Sequence, residues 1–178
     1  EFKQFALGLV KDHPATWGFY IGDELLPTSE NVSQVAALSN EVEQIARGKP
    51  TLFVQLPRAD LAGGLEPFLG ATDVGATDYY PIGLEPSLKR FPSIAAGNRA
   101  ITSNHGKGSG MVLQAFSWAQ YYPETYPSAP FPTRSEMLKM RDLAITHGKP
   151  GMLLWYAYND VLETADPAGH WADVRAAA

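Results

Sequence analysis

Carboxylates stand where apolar runs end. In GFYIGDEL (18–25), Asp23 and Glu24 close the run Phe19-Tyr20-Ile21-Gly22. An ionised carboxylate among aromatics costs free energy unless it is paired. A carboxyl in a partly desolvated mouth has a raised pKa and can act as a general acid, while a second one orients a substrate group or holds the first one's proton. The alternative is that both favour the N-terminus of the helix that follows. Successive strand residues point to opposite sides. One of the pair is therefore expected to face a central pocket and the other a neighbouring strand. Asp78, in ATDYYPI, is the second candidate, as nucleophile, base, hydroxyl ligand or turn residue. Gln114, in MVLQAFSW, is a buried amide that needs partners, either on a ligand or in the core, and Gln55 offers the same choice more weakly. Aromatic residues crowd the same run ends: Tyr79, Tyr80, Trp118, Tyr121, Tyr122, Trp155, Tyr156 and Tyr158. Sugar C–H faces stack on rings while sugar hydroxyls need polar partners. A mouth of carboxylates, amides and aromatics therefore suits carbohydrate, although core packing accounts for any single ring.

Other chemistries find less support. His13, His105, His147 and His170 stand at no metal-ligand spacing, and no metal or cofactor is expected. Asn104–Gly110, NHGKGSG, does not match a phosphate-binding loop and leads into a strand rather than a helix, so it reads as a flexible linker or lid. No G-x-S-x-G nucleophile elbow occurs. The net charge is −5 and the 14 Lys and Arg are scattered, so neither nucleic acid nor an anionic membrane is an expected partner. With no cysteine there is no disulfide or thiolate chemistry, and the compartment is left open.

The elements that must position these residues alternate. Gly48-Lys49-Pro50 and Gly148-Lys149-Pro150 each stop a helical pattern before an apolar run. The first helix spans about 29–47, capped by Thr28 or Ser29, and the second opens with the capping box Thr133-Arg134-Ser135-Glu136. The runs at 17–22, 51–56, 74–82, 111–118 and 151–158 are continuously apolar, as in parallel strands covered by helices. A short helix is expected between the second and third runs, a long loop between the third and fourth, and a terminal helix at about 170–178. The class is α/β. No G-x-G-x-x-G follows the first run. Asp23-Glu24, Gln55, Asp78 and Asp160 lie late in their runs or just past them, the placement that a (β/α)8 TIM barrel gives its chemistry. Five βα units are visible. Residues 1–14 read as the middle or end of a helix, with Phe2, Phe5, Ala6, Leu9 and Val10 on one face. The expectation is a single partial barrel domain over 1–178 with further units upstream. Its open sheet edges invite pairing with those units or with another chain.

Whole segments also resemble a known superfamily. HPATWGFYIGDELLP (13–27) resembles the fourth-strand segment of (β/α)8-barrel glycoside hydrolases, and ATDVGATDYYPIG (71–83) their sixth-strand segment. MVLQAFSW (111–118) and FPTRSEMLKMRDLAITHGKPGMLLWYAYND (131–160) resemble the seventh- and eighth-strand regions. The resemblance implies strands four to eight of such a barrel and a carbohydrate substrate. It implies Glu24 as acid/base and Trp155 as the eighth-strand aromatic that floors the sugar site; by their own chemistry at the run ends, Tyr80, Trp118, Tyr156 and Gln114 are expected as further sugar contacts. The chain departs from the two-glutamate pattern twice: Asp23 replaces Asn, and Gln114 stands where the seventh-strand Glu would be. Three readings remain open. An adjacent Asp-Glu pair can use the substrate's own acetamido group as nucleophile, Asp78 can be a second catalytic carboxylate, or the barrel binds sugar without cutting it.

Overall fold

The computed structural model describes residues 7–57 and 60–178. Five strands run in chain order as one parallel sheet: β1 (Phe19–Asp23), β2 (Thr51–Gln55), β3 (Val74–Tyr79), β4 (Gly108–Gln114) and β5 (Met152–Tyr156). Between and after them lie α1 (Ser29–Ile45), α2 (Leu61–Leu69), α3 (Phe91–Asn104), α4 (Trp118–Tyr121), α5 (Arg134–Leu143), α6 (Tyr158–Leu162) and α7 (Pro167–Ala177). This is a half-barrel with an α/β architecture, the alternation that continuous apolar runs imply.

Every residue of β2 and β3 is buried, because both faces of the sheet are covered. On the helix side, Phe53 stacks on Phe68 at 4.0 Å beside Val35, Leu65 and Leu69. A second helix-side cluster gathers Phe91, Ile94, Met111, Leu113, Met137 and Met140. On the concave side Leu52, Val54, Val74, Ala76 and Val112 form a smaller layer. The caps fall where the sequence puts them: the Thr28 hydroxyl accepts from the Asn31 N–H, and Thr133 and Glu136 close a reciprocal box.

Two expected irregular segments are regular. Residues 91–104 form α3 instead of a loop, burying Phe91, Ile94, Ala95, Asn98 and Thr102 at helical spacing. Two of those five are polar, which hides the stripe from a hydrophobicity pattern. Asn98 is fully buried and binds both neighbouring strands. Its side-chain amide donates to Ser109 Oγ and the Gly110 carbonyl, each at 2.9 Å, and its oxygen accepts from Thr77 Oγ1 at 2.9 Å. Asn98→Ala is expected to cost about 2–4 kcal/mol in urea unfolding, since it leaves several buried partners unsatisfied. NHGKGSG is neither linker nor lid: it is the end of α3, a turn at Gly106 (φ +65°) and the start of β4 at Gly108.

Among the described residues, β1 and β5 pair on one side only. The concavity between them, about 640 Å³, is lined by Trp17, Tyr20, Leu52, Met152 and Leu154 among others. At the amino end, residues 7–10 are helical with Leu9 and Val10 exposed, and the expected positions Phe2, Phe5 and Ala6 lie outside the described residues.

Candidate functional site

The end of β1 departs from simple alternation twice, and both departures gather carboxylates. A register shift lies between Tyr20 and Gly22. Ile21 packs into the helix-side cluster, and a Cβ on Gly22 would meet Phe53 at 2.9 Å and Val35 at 3.3 Å on that same side. Tyr20 and Asp23, three residues apart, are thereby both turned to the concave side, as a bulge allows. Glu24 then takes a left-handed backbone (φ +50°) while its N–H donates to the Val54 carbonyl at 3.0 Å. A non-glycine residue there is strained. Asp23 and Glu24 consequently line one cavity of about 340 Å³ instead of facing opposite ways. The helix-cap alternative fails, because Thr28 supplies that cap.

Asp78 reaches the pair from β3, two strands away. It is 1% exposed, and Oδ1 has no hydrogen-bond partner. Burial first, then a hydrogen bond with Glu24 and the charges of Glu24 and Asp23, push its carboxyl up to about 8. At neutral pH Asp78 therefore carries a proton and presents it to Glu24. Such contact is closer than the roughly 5 Å or more that separates two carboxylates flanking a scissile bond. Asp23 is also raised, chiefly by burial and then by the Glu24 charge, while a hydrogen bond from the Tyr20 hydroxyl pulls it back. A second cavity of about 320 Å³, touched by Asp78 and Glu85, shares Leu56, Tyr80 and Trp118 with the first.

The opposite wall is aromatic: Tyr80, Phe116, Trp118, Tyr121, Tyr122 and Tyr156. Phe116 is its hub, with ring centroids 4.9–5.9 Å from Tyr80, Trp118, Tyr121 and Tyr156. The Trp118 indole N–H donates to the Tyr80 carbonyl at 3.1 Å. The Tyr121 hydroxyl donates to Asp160 Oδ2 at 2.7 Å. Asp160 belongs to α6, not to a strand end, and fixes the wall from behind.

Tyr80, Trp118 and Tyr156 thus lie with Asp23 and Glu24 on one cavity. Two expected sugar contacts do not. Trp155 packs against the helix-side cluster, because strand parity gives the concave face to Met152, Leu154 and Tyr156; Tyr156 takes the place expected of Trp155. Gln114 is fully buried. Its amide donates to the Ile82 and Phe116 carbonyls at 2.9 and 3.1 Å, and its oxygen accepts from the Ile82 N–H at 2.8 Å. That is a core amide, as is Gln55, which donates to the Leu25 and Gly64 carbonyls. Tyr79 packs on Phe91 in the core, and Tyr158 on Trp171. The sequence reading missed Leu56, Phe116 and Tyr20. For Phe116 the signal was present: it continues the parity of Val112 and Gln114. Among the described residues no three His, Asp or Glu side chains are grouped to hold a metal.

Neither a protein-family model nor a curated protein sequence matches the chain. Solved structures match in fold. One, described as a "putative alpha-L-fucosidase" from Bacteroides thetaiotaomicron VPI-5482, aligns with a TM-score of 0.68 at 11% identity, over 97% of this chain and 60% of that one. The chain thus spans about three fifths of that protein's length, and at this identity the likeness is one of fold alone, a parallel half-barrel.

Proposed function

We propose that the protein is a glycoside hydrolase acting on an oligo- or polysaccharide, with Glu24 as general acid/base. The observation that carries this reading is the buried Asp78 carboxyl, raised by burial and set against Glu24, which with Asp23 lines an aromatic-walled cavity. Asp78 is buried whereas Glu24 is exposed, so Glu24 passes the Asp78 proton to the leaving glycosidic oxygen as that bond breaks, and the water that adds to the anomeric carbon returns a proton through Glu24 to Asp78. Asp23, exposed beside Glu24, is the ligand-facing partner. It orients a substrate group such as an acetamido function or steadies positive charge on the sugar ring. In this reading the open face between β1 and β5 is covered by further βα units of the same barrel or by another chain.

A second reading is a barrel that binds carbohydrate without cutting it. It is favoured by the cavity wall opposite Asp23 and Glu24, which is aromatic and carries no facing carboxylate among the described residues. A glycan panel separates the two. The hydrolase releases reducing sugar from at least one member; binding by calorimetry with no release from any supports the second reading.

A further inference from the structure

Three aromatics are spaced by four residues, Trp118, Tyr122 and Tyr126, and the first two line the carboxylate cavity while the third lies beyond it. Their rings form one contiguous patch. Trp118 stacks on Tyr122 at 5.9 Å with planes 28° apart, and Tyr126 lies 6.4 Å from each. Tyr122 is 54% and Tyr126 37% exposed, so the patch is open to a ligand.

The segment bearing them is braced. Ser117 Oγ donates to the Ala129 carbonyl at 2.6 Å, closing the excursion, and the Tyr126 N–H donates to the Tyr122 carbonyl at 2.8 Å. Gln120 Nε2 donates to the Asp160 carbonyl at 2.8 Å, tying the loop to α6. Rings held this way lose little conformational freedom when a ligand arrives.

Resting on the hydrolase or sugar-binding reading of the cavity, we propose that residues 117–129 form a stacking platform for sugar units beyond the cavity. The ligand is then a glycan chain that runs from the carboxylates over Trp118 and Tyr122 to Tyr126. Continuity with the cavity argues for sugar over an apolar protein partner. So does the mixed surface, in which the two tyrosine rings carry hydroxyls and Glu124 and Thr125 lie between them in the sequence. The near-parallel Trp118 and Tyr122 rings take the C–H surfaces of successive units, Tyr126, edge-on to Tyr122 at 86°, meets the next unit where the glycan turns, and the polar groups take sugar hydroxyls.

The test is calorimetric binding to Glu24→Gln protein of di- and hexasaccharides from the cellulose, xylan, mannan, galactan and chitin series. In at least one series the hexasaccharide is expected to bind about tenfold more tightly than the disaccharide. Tyr126→Ala should bring that ratio close to one, and Tyr126→Phe should keep it. Tyr158→Ala, which removes an exposed ring outside the platform, should leave it alone. Equal affinity for both lengths, a ratio that survives Tyr126→Ala, or no binding across the panel overturns the proposal. Length-dependent binding without cleavage by the unsubstituted protein keeps the platform and refutes the hydrolase; cleavage without length dependence does the reverse.

Discussion

Replacing Glu24 by Gln in the intact protein is expected to lower kcat on a cleaved glycan by about 10³-fold, with KM changed little. Gln keeps the shape of the side chain, and its carbonyl oxygen still accepts the hydrogen bond from Asp78. It can neither take that proton nor pass it on. The backbone at this position, φ +50°, is as strained for Gln as for Glu, so the folded state should be almost as stable. A rate loss with unchanged urea midpoint and intact sugar binding would assign the effect to proton transfer. A cut rate equal to that of the unsubstituted protein would remove Glu24 from the mechanism.

The second large effect is on stability. Folded Asp78 keeps its proton up to about pH 8, whereas in the unfolded chain it gives the proton up near the ordinary aspartate value. Between those limits the folded state binds more protons, so unfolding releases one and this residue's contribution to stability falls as pH rises. The loss begins near pH 4 and is complete above about pH 8, where a buried charge faces Glu24. Asp78→Asn keeps a neutral donor at this place and escapes the slope. The variant should match the unsubstituted protein near pH 4 and exceed it at pH 9 by on the order of 3–5 kcal/mol. Parallel stability curves for the two proteins from pH 4 to 9 would refute the buried protonated pair.

Much of the frame was legible because it depends on strong local signals. Caps at Thr28 and Thr133–Glu136, the GKP stops and continuous apolar runs each have one physical meaning, and together they give parallel strands under helices. The terminal helix begins at Pro167, earlier than expected, because Asp166 caps it through the Gly169 N–H. What escaped notice depends on tertiary partners. The helix α3 buries Asn98 and Thr102, and the hydrogen bonds of Asn98 with Thr77, Ser109 and the Gly110 carbonyl exist only in the folded sheet.

At the site, residue types were easier to read than directions. Counting along β5 from its apolar content alone cannot choose between Trp155 and Tyr156; packing against the helices chooses, and sends Trp155 outward. Likewise nothing local in GFYIGDEL announces the register shift after Tyr20 or the left-handed turn at Glu24 that sets both carboxylates on one cavity. Gln114 has the right type for a sugar ligand, but the Ile82 and Phe116 backbone groups already occupy its amide.

In the proposed site the ends of β1 and β3 hold a proton between buried Asp78 and Glu24. Carboxyl-carbon NMR titration tests it most directly, without knowledge of the sugar. The Asp78 signal is expected to titrate near pH 8, and to move down in Glu24→Gln while remaining above the ordinary aspartate value, because burial is the larger cause. An Asp78 signal that titrates near pH 4 and ignores the substitution would show that no proton is shared between Asp78 and Glu24.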